Sequence, residues 1–94
     1  MKMYRYKIIT TTKFDKDYKK IKKRGYNIEL LKKVVDILAQ GEELPRVYKD
    51  HDLIGNFQGY RECHILNDWL LIYKIEKENL FLILSRTGTH SDLF

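Results

Sequence analysis

Three histidines carry the chemistry this chain is equipped for, and all fall within its last 44 residues: His51 in Tyr48-Lys49-Asp50-His51, His64 in Tyr60-Arg61-Glu62-Cys63-His64, and His90 in Arg86-Thr87-Gly88-Thr89-His90. Each has polar or charged neighbours. Strand alternation puts Glu62 and His64 on one face with Cα atoms about 6–7 Å apart, close enough for the carboxylate to orient the imidazole. Asp68 falls in the next turn, where a carboxylate is an ordinary turn former and can also hold a histidine in one tautomer. An imidazole in water titrates near neutrality, at about pH 6.5, which suits both proton transfers that split an RNA strand. One ring would take the proton of a ribose 2′-hydroxyl and another would protonate the departing 5′-oxygen. A cation such as Arg86 would stabilise the charge gathering on phosphorus. Taken singly, each histidine reads as a surface or structural residue. The chemistry requires that they converge.

Other site types fit less well. The gaps of 13 and 26 residues between the histidines match no zinc-site spacing, and no two of them form an i, i+4 helical pair. The scheme therefore assigns no metal and no cofactor. Gly55, Gly59 and Gly88 make neither a dinucleotide-binding nor a phosphate-loop pattern. Tyr60, Trp69, Tyr73 and Phe94 offer surfaces for base stacking, although strand aromatics are usually core. Phe94 differs because a terminal ring has little reason to be packed. Cys63 has no partner in the chain and is expected as a buried or strand-face thiol.

The chain has 18 Lys and Arg against 13 Asp and Glu, a net charge of +5. Seven basic and two acidic residues lie between Thr12 and Arg24, so that segment alone carries the surplus. Such a directional field would draw a polyanion to one side, less well at high salt, or it would simply be a solvated helix face. With 44% hydrophobic and 33% charged residues, the composition fits one aqueous domain spanning residues 1–94. No apolar run reaches the roughly 20 residues needed to cross a bilayer, and no signal-peptide pattern is present, so the expected compartment is the cytoplasm.

These groups must be positioned by an α+β fold. Alternation predicts a strand over Tyr4–Ile9. Thr12 is the expected cap of a first helix with Phe14, Tyr18 and Ile21 at helical spacing up to Gly25. Asn27 caps a second, whose stripe of Ile28, Leu31, Val34, Val35 and Leu38 ends before Gly41. Residues 42–56 contain the only proline and read as a loop holding His51, with a short strand at Arg46–Tyr48. Tyr60–Leu66, Trp69–Glu76 and Leu80–Ser85 then form a meander, and His90 lies in a tail after it. The order implies a two-helix hairpin packed on a twisted antiparallel sheet of four to five strands.

Four segments together resemble the RelE/YafQ-type toxins of bacterial toxin–antitoxin modules, and most of all the YafQ branch. They are Lys-Phe-Asp-Lys-Asp-Tyr-Lys-Lys from Lys13, Tyr-Lys-Asp-His-Asp-Leu from Tyr48, Gly-Tyr-Arg-Glu-Cys-His with Asp68-Trp69, and Arg-Thr-Gly-Thr-His-Ser-Asp-Leu-Phe from Arg86. They recur in the same order and span nearly the whole chain. The resemblance implies a RelE-like fold and an endoribonuclease acting on messenger RNA, usually in the ribosomal A site. It implies a cognate antitoxin, commonly of ribbon-helix-helix type, with operator DNA contacted only through that complex. Carried over by position, the active-site residues are His51, His64, Asp68 and His90, with Arg86 as the basic residue and Phe94 as the terminal aromatic. Lys49 and Trp69 join them as candidates for RNA binding. Glu62 stands where the branch has aspartate, which keeps the charge and lengthens its reach. His90 is the expected general acid, with His51 or His64 as base. The alternatives are a module of the same fold that binds RNA, ribosome or antitoxin without cutting and, second, a metal-dependent hydrolase.

Overall fold

The computed structural model describes residues 3–94. In chain order its regular elements are β1 (Lys7–Thr10), α1 (Thr12–Lys23), α2 (Ile28–Ala39), β2 (His51–Asp52), β3 (Arg61–Leu66), β4 (Trp69–Glu76), β5 (Phe81–Gly88) and α3 (His90–Leu93). Thr11, not Thr12, caps α1: its Oγ1 accepts from Phe14 N–H at 3.0 Å and donates to the Ser85 carbonyl at 2.8 Å. The second bond, to a strand 74 residues away, favours Thr11 over its neighbour. Asn27 caps α2 as expected, accepting from Glu29 N–H. Both helices stop the same way. Gly25 and Gly41 take positive φ, and the amides of Tyr26 and Glu42 reach back to the carbonyls of Ile21 and Ile37. This closing pattern needs a residue without a Cβ penalty in the left-handed region.

The five strands form one sheet in the order β1-β5-β4-β3-β2. The meander β3-β4-β5 is antiparallel, but β1 runs parallel to β5, with Lys7 opposite Phe81 and Thr10 opposite Leu84. The sheet is therefore mixed, where an all-antiparallel one was expected. Apolar alternation carries no information about the direction of β1, which depends on how the helical hairpin returns the chain. Arg46–Tyr48 is a 3-10 turn instead of a strand, and the strand of this region is His51–Asp52.

Each face of the sheet has its own apolar cluster. Phe14, Ile21, Leu31, Val34 and Leu38 from the helices pack on Cys63, Ile65, Trp69, Leu71, Tyr73, Leu82 and Leu84. On the opposite face Leu70 and Ile72 meet Leu93 of α3, flanked by Leu53, Phe57 and Tyr60. A bulge sets the phase of β5: Tyr73 pairs with Leu84 but Ile72 pairs with Arg86, leaving Ser85 extra. Strict alternation from Leu82 and Leu84 would put Arg86 on the helix side. The bulge instead aligns Arg86 and Gly88 with Ile72 and Leu70, and Thr87 takes the buried helix-facing position. Beyond Leu84, β5 has outrun β1. Its edge is closed by α1, where Asp17 accepts from Thr87 N–H at 3.1 Å. No helix among the described residues is long and apolar enough to cross a membrane.

Candidate active site

The face opposite the helical hairpin brings the three histidines into a row. Ring centroids of His51 and His64 lie 6.3 Å apart and those of His64 and His90 6.0 Å apart. His51 is not in a loop: β2 pairs it directly across from Glu62. His90 is not in a free tail: it opens α3, which Thr89 and Asp92 cap reciprocally. Phe94 follows α3 with 63% exposure, its ring 6.3 Å from His90 and edge-on to Phe57 at 5.7 Å.

Every ring is oriented through Nδ1. His51 meets the Lys49 carbonyl at 2.7 Å and His64 the Asn67 carbonyl at 3.2 Å. A carbonyl only accepts, so Nδ1 carries the hydrogen in both and Nε2 is left for other work. His90 meets the Asp68 carboxylate at 2.8 Å through Nδ1, and its backbone N–H donates to the same oxygen at 3.0 Å. These bonds hold the Asp68 carboxyl below the usual carboxylate range, the backbone bond contributing most. Glu62, only 5% exposed, lies between the other two: its Oε1 is 3.4 Å from His51 Nε2 and 3.9 Å from His64 Nε2. One carboxylate thus faces two rings.

His51 owes its place to a clamp that the spacing of histidines did not reveal. Arg61 donates through Nε and Nη2 to Asp50 and through Nη1 to Asp52, gripping the residues on either side of His51. The buried Tyr73 hydroxyl donates to Asp50 at 2.6 Å, and burial pushes its pKa up. The signal was local: aspartates flank His51, and Arg61 lies one residue from the β2 partner Glu62. Lys49 acts through its backbone, with φ at 50° turning its carbonyl onto His51.

Two expected residues are placed differently. Trp69 is 2% exposed, edge-on to Tyr26, and its Nε1–H donates to Thr87 Oγ1 at 2.9 Å. It belongs to the core and presents no face to a base. Arg86 is on the histidine side but not unpartnered: its Nε and Nη2 donate to Asp17 at 2.7 and 3.1 Å. It lines a cleft with Lys13, Phe57 and Tyr60. Asp17 was legible as an acid on an apolar stripe, since Phe14, Asp17 and Ile21 share one helix face. Cys63 is fully buried, and burial pushes its thiol pKa up. Among the described residues no three metal-ligating side chains are grouped to hold an ion.

A five-stranded mixed sheet with the α1–α2 hairpin on one face and an open histidine–carboxylate row beside α3 on the other defines a RelE-like α+β toxin fold. The chain belongs to the YafQ family, the bacterial toxins of type II toxin–antitoxin systems, whose family pattern matches residues 6–94. It is 43% identical over 82 residues to the mRNA interferase toxin YafQ of Escherichia coli K12, covering 86% of this chain and 87% of that one. A metal-bound toxin from Helicobacter pylori superposes with a TM-score of 0.89 at 47% identity, covering 98% of this chain and 100% of that one. The E. coli DinJ-YafQ toxin-antitoxin complex matches with a TM-score of 0.87 at 40% identity, covering 96% and 98%.

Proposed function

We propose that this chain is an endoribonuclease that cleaves messenger RNA by histidine acid–base transfer, as the toxin half of a pair with a cognate antitoxin. The observation that carries the reading is the row of three imidazoles, each anchored through Nδ1, with Glu62 between two of them and Asp68 on the third. His51 or His64 takes the 2′-hydroxyl proton through Nε2 as the 2′-oxygen attacks phosphorus. His90 protonates the 5′-oxygen as the P–O5′ bond breaks, leaving a 2′,3′-cyclic phosphate and a 5′-hydroxyl. Glu62 and Asp68 orient the rings and supply counter-charge while protons move. The Arg86 guanidinium, fixed by Asp17, and the lysines of α1 attract the RNA backbone. Phe94 offers a stacking surface beside His90.

The scheme moves protons between imidazoles and RNA and gives the metal of the Helicobacter relative no step. By analogy with the DinJ-bound relative, the partner is a cognate antitoxin; the family resemblance implies one of ribbon-helix-helix type, through which alone operator DNA is contacted. The substrate is messenger RNA in the ribosomal A site, which puts the activity in the cytoplasm. The test is cleavage of an RNA oligonucleotide and of ribosome-bound message by the purified chain. His90→Ala is expected to lower the cleavage rate by about 10²–10⁴-fold while RNA affinity stays within a few-fold. Equal loss of both would remove His90 from the chemistry, and cleavage of a 2′-deoxy substrate would rule out 2′-hydroxyl attack.

A further inference from the structure

The helix that brings His90 and Phe94 to the site is four residues long. Helices under about 12 residues do not persist alone in water, so α3 must be held from outside. Leu93 is buried against Leu70 and Ile72, and the His90 amide is bound to Asp68. A third hold comes from the far end of the helical hairpin. Arg24, the last cap of α1, donates through Nη1 and Nη2 to Asp92 Oδ2 and Oδ1 at 2.7 and 3.1 Å. Asp92 also accepts from Thr89 N–H at 2.9 Å, completing the cap of α3. The chain passes so close that a Cβ on Gly88 would lie 2.9 Å from the Asp92 carboxylate.

We propose that Arg24 is a positioning residue for the cleavage reaction: its two-pronged grip on Asp92 sets the attitude of α3 and so the placement of His90 Nε2 and the Phe94 ring. The inference rests on reading the histidine row as the cleavage site. Arg24 belongs to the basic segment that would attract RNA, yet it differs from the neighbouring lysines because Asp92 occupies both prongs of its guanidinium. A planar fork fixes orientation in a way that a lysine ammonium does not.

Two roles for Arg24 predict opposite outcomes. If it contacts RNA, Asp92→Asn frees the cation, removes a negative charge near a polyanion, and lowers KM or raises the rate. If it positions α3, Asp92→Asn and Arg24→Gln each lower kcat on an RNA oligonucleotide by about 10- to 100-fold, the loss expected of a misplaced catalytic group. KM then changes less than about threefold, and Arg24→Lys, which keeps the charge, recovers only part of the rate. Amide NMR signals of residues 89–94 should shift or broaden in these variants while those of β3 and β4 hold still, which separates a loosened α3 from a misfolded protein. Cleavage by Asp92→Asn at or above the wild-type rate overturns the proposal. So does a raised KM with kcat intact in Arg24→Gln, or an undisturbed α3 spectrum. Wild-type and His90→Ala proteins run alongside test the cleavage reading separately, and the amide spectra report on the grip even if that reading fails.

Discussion

Replacing Thr87 by valine should destabilise the protein although it buries an extra methyl group. Thr87 is 1% exposed, and its hydroxyl accepts from Trp69 Nε1–H at 2.9 Å while donating to the Leu70 carbonyl at 2.7 Å. Valine has the same shape, and the added methyl contributes about 0.8 kcal/mol of apolar burial. Against this, the buried indole N–H is left with no partner, a loss of about 1–3 kcal/mol, and the carbonyl loses a bond worth about 1 kcal/mol. The net expectation is a loss of about 2 kcal/mol, or a Tm lower by roughly 8–16 °C for a domain of this size. Thr87→Ser keeps both hydrogen bonds and drops one methyl, for a loss of about 1 kcal/mol. Urea denaturation followed by Trp69 fluorescence should therefore rank wild type above serine and serine above valine. Valine at or above wild-type stability would show that burial, not the hydroxyl bridge, holds the end of β5. The bridge also bears on the site, because Thr87 N–H is bound to Asp17 just before the chain turns into His90.

Glu62→Gln keeps the volume between His51 and His64 and removes the charge. Losing a charge-assisted interaction of about 1.5–3 kcal/mol corresponds to a cleavage rate about 10- to 100-fold lower in single-turnover assays; an unchanged rate would reduce Glu62 to a packing role. Acid should release α3 before it unfolds the core. The folded-state pKa of Asp68 is depressed chiefly by the His90 backbone N–H, and that of Asp92 chiefly by Arg24. Depressed carboxylates stabilise the docked helix above their unfolded value of about 3.9, and that contribution is lost as pH falls through the folded values. Amide exchange in residues 90–94 should therefore quicken below about pH 4 while β4 stays protected; simultaneous loss of both would refute the order.

Much of the fold was legible because helices and strands write their period into the apolar residues. Asn27, Gly25 and Gly41 mark helix ends by local chemistry, and the stripe of Leu31, Val34 and Leu38 identifies the face that packs on the sheet. The three histidines, Glu62, Asp68 and Phe94 were legible as a group from residue type and family resemblance. Misplaced assignments came where a distant partner decided. Thr11 outcompetes Thr12 through Ser85, Trp69 enters the core through Thr87, and the short β2 exists because β3 offers it an edge.

The sequence by itself determined the composition of the site: three imidazoles, two carboxylates and a basic segment, on a chain patterned for two helices and a meander. Only the tertiary structure decided how they meet. One extra residue, Ser85, shifts the alternation of β5 and moves Arg86 across the sheet, and the parallel pairing of β1 stops short so that α1 closes the remaining edge. The direction and register of β1 on β5 are set by contacts between residues dozens of positions apart, and the Nδ1 partner of His90 lies 22 residues away, whereas those of His51 and His64 are only two and three residues distant. Local periodicity holds no information about them. The histidine row is accordingly a product of the sheet's pairing, although its members could be named one by one from the chain.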